Sequence, residues 1–285
     1  MRVPTHDGAE LCVEAIGDPA EPAVLLVMGA AASMDRWEDA FCARLALAGR
    51  YVIRYDHRDT GASTTWPPGA PGYRSDDLIA DALTVLDALG IERAHLVGMS
   101  MGGAIVQRIA VERPERVLSI TLLCTSPAGS GGPPLPPMSE ALRALFGGEG
   151  PEPPDWSDRE AAVAWLLAGE RPYTGARGLD EDATRALLGR VLDRSPSPAS
   201  ADNHFALEGS EMARARLGEI AVPALVVHGT HDPLFPLAHG RALADEIPGA
   251  RLLVVDGLGH ELPRWSWDQV LPAVVAHTGS RSPVA

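Results

Sequence analysis

The sequence predicts an α/β fold, a mostly parallel sheet layered between helices, and three observations carry that expectation. Strand-sized apolar runs rich in Val, Leu and Ile alternate with longer stretches of helical period. Small-residue turns join one kind of segment to the other. The alternation stops once, near residue 125, and resumes near 216.

Taken in order, the strand-like runs are LCVEAI (11–16), AVLLVM (23–28), YVIRYD (51–56), AHLVGM (94–99), LSITLLC (118–124), ALVVHG (224–229) and RLLVVD (251–256). In SDDLIADALTVLDALG, residues Ile79, Ala82, Leu83, Leu86 and Leu89 form one apolar stripe, with Ser75 expected as N-cap and Gly90 as the residue past the helix end. GGAIVQRIAVERP and SWDQVLPAVVAHT read as further helices. Residues 125–215 carry two Pro/Gly-rich stretches, SPAGSGGPPLPP and GGEGPEPPD, then helical pieces expected around 158–168, 180–194 and 200–215. The expected division is therefore one core domain from residues 1–124 and 216–285, with 125–215 as an inserted helical cap.

Composition narrows the chemistry. A chain of 285 residues, 46% hydrophobic and 22% charged, has the length and balance of a soluble globular protein with a sizeable core. Its net charge of -14 argues against nucleic acid and against anionic membrane surfaces, both of which demand a dense cationic face. All 24 basic residues are arginines. Without lysine there is no Schiff base, no lysine-anchored pyridoxal phosphate and no phosphate-loop lysine. Cys12, Cys42 and Cys124 are odd in number and far apart, which reads as free buried thiols. The opening MRVPTHDGAE lacks an apolar targeting core and no run is long enough to span a bilayer, so a cytoplasmic location is the default expectation.

The stretch HLVGMSMGG at 95–103 sets Ser100 between Gly98 and Gly102, after a strand and before a helix. That is the context of a nucleophile elbow, where small residues two before and two after the serine let strand and helix meet closely. The bland reading is a glycine-rich turn whose serine caps the helix. A serine hydroxyl needs a base to take its proton. His260, in VVDGLGHELP after the last strand, lies at the same sheet edge; His95 and His277 fall inside a strand and a helix. Asp232, in VVHGTHDPLFP, is the first choice for the acid that orients the histidine, ahead of Asp256 and Asp56. Metal binding by His228, His231 and His260 is disfavoured because their spacing lacks a helix and a nearby third ligand, and no metal or cofactor is implied. Oxyanion donors are expected from the backbone N–H of Met101 and from the loop LVMGAAAS, where Ala30 is the choice. Met28, Gly29, Phe146, Trp156, Trp165 and Met212 are the candidate substrate contacts and suggest a bulky apolar small molecule.

These residues together resemble the α/β-hydrolase superfamily across nearly the whole chain. VMG (27–29) stands where the family usually has His-Gly, YDHRDTGAS (55–63) resembles its D-x-R-x-x-G-x-S loop, GMSMGG its elbow, and HGTHDP and GLGH its acid and histidine loops. Met28 departs from the usual histidine, but the donor there is backbone. The resemblance implies eight strands and a helical cap between the sixth and seventh. LLVMG, VIRYDHRDTGAST and RAHLVGMSMGG further resemble the anthracycline (aclacinomycin-type) methylesterase branch, which implies a methyl ester of an aromatic polyketide as substrate and Ser100, Asp232 and His260 as triad. The alternatives are C–C, lactone or perhydrolase chemistry on the same triad, and a non-catalytic ligand-binding homologue.

Overall fold

The computed structural model describes residues 1–210 and 212–279. Chain order runs β1 (Arg2–Pro4), β2 (Glu10–Ile16), β3 (Ala23–Val27), α1 (Asp39–Leu47), β4 (Tyr51–Tyr55), α2 (Ser75–Ala88), β5 (Ala94–Met99), α3 (Met101–Glu112) and β6 (Val117–Leu123). After an excursion containing α4 (Glu140–Ala144), α5 (Arg159–Glu170) and α6 (Glu181–Arg194) come β7 (Ala224–Gly229), α7 (Ala238–Glu246), β8 (Arg251–Val255) and α8 (Trp267–Thr278).

The strands form one eight-stranded sheet in the order β1-β2-β4-β3-β5-β6-β7-β8. Only β1–β2 and β2–β4 pair antiparallel; β3 through β8 run parallel. The seven runs read from sequence each become a strand within a residue of the expected bounds. The eighth, β1, was missed because three residues are too short to show a period; Val3 finds its place only through register with Leu11.

Central strands covered by helices on both sides must be apolar on both faces, and β3, β5 and β7 are buried along their whole length. Their side chains alternate between two cores. Leu25 and Val27 face the core built with α2 and α3, including Leu78, Leu86 and Ile109. Val24 and Leu26 face the core built with α1 and α8, where Phe41 meets Trp267 edge-on at 5.5 Å. Each such fully buried Val or Leu contributes about 1.5–3 kcal/mol over an exposed one.

Two local expectations change. Ser75 is the first residue of α2 and not its cap: its N–H donates to the Glu208 carbonyl at 2.9 Å, and the Asp77 carboxylate closes the turn by accepting from Arg74 N–H at 2.8 Å. Gly90 does follow the helix end, with φ +68°. The helix expected around 200–215 is two 3-10 segments, Pro198–Ala206 and Arg214–Glu219. Pro198 forces the start of the first, and between them Gly209 lies so close to α2 that a Cβ there would stand 1.6 Å from Ser75 Oγ. Of the thiols, Cys42 and Cys124 are buried, whereas Cys12 is only half-buried.

Candidate active site

The loops at the C-terminal ends of β3, β5, β7 and β8 open on one edge of the sheet, because parallel strands deliver their ends together. Ser100 follows β5 with φ +52° and ψ −119°, a conformation that costs a non-glycine residue about 1–3 kcal/mol. Three close approaches, two to backbone and one to a side chain, enforce it. A Cβ on Gly98 would stand 2.3 Å from the Gly102 carbonyl oxygen, one on Gly102 2.1 Å from that of Val27, and one on Gly103 2.6 Å from the Thr125 side chain. Ser100 N–H donates to Leu123 O at 3.0 Å, and Thr125 Oγ1–H donates to Ser100 O at 2.8 Å.

Asp232 and His260, from the loops after β7 and β8, meet at 3.0 Å between Oδ2 and Nδ1. The other oxygen, Oδ1, accepts from Leu234 N–H at 2.9 Å and Phe235 N–H at 2.8 Å, so the carboxylate is fixed from both ends. Burial opposes its charge, but the His260 hydrogen bond, the His260 charge and the Phe235 amide prevail and hold the carboxyl below its usual range. Because Nδ1 faces an ionised acceptor, Nε2 is left as the ring's free base. His260 N–H donates to Tyr173 O at 2.8 Å, tying this loop to the excursion.

The rival acids are occupied otherwise. Asp256 Oδ1 accepts from Thr230 Oγ1–H at 3.0 Å. Asp56 is fully buried, accepts from Met34 and Ala62 N–H at 2.9 Å each, and pairs with Arg194 at 2.6 Å. His95 hydrogen-bonds Ser119 Oγ and His277 donates to Ile120 O, both inside the fold. His228 donates from Nε2 to Phe235 O at 2.7 Å, which takes that nitrogen out of any ligand set.

Gly29 packs on the serine: a Cβ there would lie 3.2 Å from Ser100 Cβ. Among the described residues, neither Ala30 N–H nor Met101 N–H has an acceptor. The loop that carries Ala30 is held by histidines the sequence reading passed over. His57 donates from Nε2 to Met28 O at 3.0 Å, and Ala31 N–H donates to Nδ1 of His204 at 2.9 Å. Burial, reinforced by the neighbouring His204, pushes the His57 imidazolium down to about 3. No local signal singled out His57 or His204, since their partners are backbone atoms distant in sequence.

The substrate candidates separate. Met212 is buried and, with Met101, Ala104, Ile105 and Leu207, lines a mostly apolar cavity of about 430 Å³ that reaches His204. Trp156 and Trp165 pair edge-on at 5.5 Å and line a different cavity of about 70 Å³ beside Asp59 and Ala31. Phe146 is 46% exposed and pairs with Phe205, 57% exposed, at 5.7 Å. Neither Phe residue lines either cavity. The Met101–Met212 cavity is the larger of the two, of a size that suits a drug-sized ligand, and Ser100, Asp232 and His260 line neither.

A protein family described as the alpha/beta hydrolase fold matches residues 22–265. The chain is 35% identical to the rhodomycin D methylesterase of Streptomyces sp. strain C5 and 35% identical to that of Streptomyces peucetius, in each case over 97% of both proteins. Among solved structures it is similar to a hydrolase from Pseudomonas aeruginosa PA01, 28% identical over 98% of both chains with a TM-score of 0.67. Among the described residues, no helix is long and apolar enough to cross a membrane.

Proposed function

This chain belongs to the α/β-hydrolase family and is a carboxylic ester hydrolase, and on that premise we propose that it cleaves the methyl ester of a bulky aromatic polyketide through Ser100, His260 and Asp232. Ser100 Oγ attacks the ester carbonyl while His260 Nε2 takes its proton. Asp232 holds Nδ1–H and stabilises the imidazolium. The tetrahedral oxyanion accepts from Ala30 and Met101 N–H, and collapse expels methanol carrying the proton from His260. Water, deprotonated by the same ring, then releases the carboxylic acid and restores Ser100.

The observation that carries the mechanism is the conjunction of a left-handed Ser100 at the elbow with an Asp232–His260 bond of 3.0 Å on neighbouring strand ends. Full-length likeness to two rhodomycin D methylesterases supports the substrate class, as do the apolar walls at Met101 and Met212. Residues 125–215 act in this reading as the cap over a core of 1–124 and 216–285, with Trp156, Trp165 and Phe146 beyond the main cavity.

A panel of p-nitrophenyl and methyl esters graded by acyl size, run beside aromatic polyketide methyl esters, tests the proposal. The expected result is highest kcat/KM on the polyketide esters. Preference for short acyl groups with no polyketide turnover removes the substrate class and leaves the esterase reading standing. C–C cleavage with no ester turnover at all overturns both.

A further inference from the structure

We propose that His204, a side chain of the excursion and not of the sheet, is a positioning residue that sets the oxyanion loop through Ala31; this rests on the reading of Ala30 as an oxyanion donor.

His204 lies in the 3-10 segment Pro198–Ala206 and is 7% exposed. Its two ring nitrogens have complementary and opposite partners. Nε2 lies 2.8 Å from the Arg58 carbonyl, which can only accept, so Nε2 carries the hydrogen. Nδ1 is therefore a bare acceptor, and it takes the Ala31 N–H at 2.9 Å. Burial, the largest influence, pushes the imidazolium down and favours this neutral ring.

Ala31 needs such a restraint. It has φ +56°, the left-handed region that an alanine enters at a cost. With the acceptor gone, a half-buried N–H would be left unpaired, and the loop would relieve both penalties by changing the backbone torsions at Ala30 and Ala31. The adjoining Gly29–Ala30 peptide, which carries the Ala30 N–H, would be displaced as those torsions change. The other end of the loop is already pinned, since His57 donates to Met28 O and its ring stands edge-on to His204 at 5.8 Å between centroids. Two imidazoles thus bracket the Met28–Ala31 loop, one from the sheet side and one from the excursion. Neighbouring bonds keep the second one in place: Asn203 Nδ2–H donates to Asp59 at 2.9 Å, Asn203 Oδ1 accepts from Gly69 N–H at 2.7 Å, and Ser200 Oγ–H donates to Trp66 O at 2.6 Å.

The two nitrogens can be tested apart. His204→Asn puts a carbonyl oxygen where Nδ1 stands and gives up the reach to Arg58. His204→Gln extends an amide toward Arg58 and leaves nothing at Nδ1. His204→Leu removes both. The readouts are kcat and KM for p-nitrophenyl butyrate, inhibition by an aryl trifluoromethyl ketone whose hemiketal oxyanion occupies the same donors, and the melting temperature. In the Leu and Gln variants kcat is expected to fall about ten- to hundredfold with KM within about threefold, and the ketone to weaken in the same ratio. Asn is expected to recover at least half of that loss on a logarithmic scale. Unchanged kcat in the Leu variant overturns the proposal, as does an equal fall in Asn and Gln that merely tracks melting temperature. Ser100→Ala separates the two levels: if it abolishes turnover while the His204 variants match the parent, only the positioning role fails; if it retains turnover, the reading beneath it fails.

Discussion

The sheet-edge loops and the 124–223 excursion are held together by different physics. At the sheet edge, backbone meets backbone: Gly102 lies against Val27 and Met28, and Gly229 lies so near Leu258 that a Cβ would stand 2.0 Å from its carbonyl oxygen. In the excursion, the inner seam is made largely of long-range polar contacts, although at Gly175 a Cβ would stand 2.1 Å from Gly257 O. Arg194 pairs with Asp56 and Asp35, His204 with Ala31 and Arg58, and Ala176 N–H donates to Gly257 O at 2.9 Å. Its outer side exposes Phe146 and Phe205. The first kind of constraint tolerates one residue type at a position; the second can be rebuilt with other residues while the core stays the same. The geometry of the sheet-edge loops is therefore constrained more tightly than the seam of the excursion.

The largest effect expected from this contrast is at glycine. Gly102→Ala would drive a Cβ to 2.1 Å from Val27 O and 2.6 Å from Met28 O, both unyielding backbone. The expected loss exceeds about 4 kcal/mol in urea unfolding, or the protein fails to fold. Gly147→Ala, in the excursion with no atom within 4 Å of the added methyl, is expected to stay within about 0.5 kcal/mol of the parent. Similar losses at both positions would break the contrast.

Acid should strain core and seam together. Burial keeps His57 neutral down to about 3 and His95 down to about 4, and it lowers His204, His228 and His277 as well. An unfolded histidine titrates near 6.5, so between that pH and 4 the unfolded chain binds more protons and stability falls as pH falls. His57 and His95 alone account for about 2 kcal/mol each between pH 7 and pH 5. Calorimetry at the two pH values checks this, together with proton uptake on unfolding at pH 5. A flat profile would mean that these rings ionise inside the fold.

The smallest effect concerns the outer side. Phe146→Ala and Phe205→Ala each should cost less than about 1 kcal/mol, because an exposed edge-on pair adds little to folding. KM for a bulky aromatic methyl ester and for p-nitrophenyl acetate should each stay within about twofold of the parent, because neither ring lines a cavity. A severalfold rise for the bulky ester alone would put the pair in that substrate's path.

The same contrast explains what could be read from the chain. The elbow was legible because Gly98, Ser100, Gly102 and Gly103 are local in sequence and each answers a steric demand. Strands were legible because β3 and β5 are buried on both faces and read as unbroken apolar runs. Ser75 was misplaced as a cap because its partner is Glu208, and residues 200–215 were misread as a helix because Gly209 answers to Ser75 rather than to its neighbours. His57, His204 and Tyr173 went unnoticed for the same reason: each meets a backbone atom that only the fold brings near. Trp156 and Trp165 stand out in the sequence as apolar residues of the expected cap, and they line a cavity other than the one at Met101.

The assignment of Ser100 as nucleophile, which we propose, is tested most directly by peptide mapping after reaction with a fluorophosphonate. The expected result is one adduct, on the peptide containing Ser100, and none in Ser100→Ala of unchanged melting temperature; an adduct that persists in that variant would overturn the assignment.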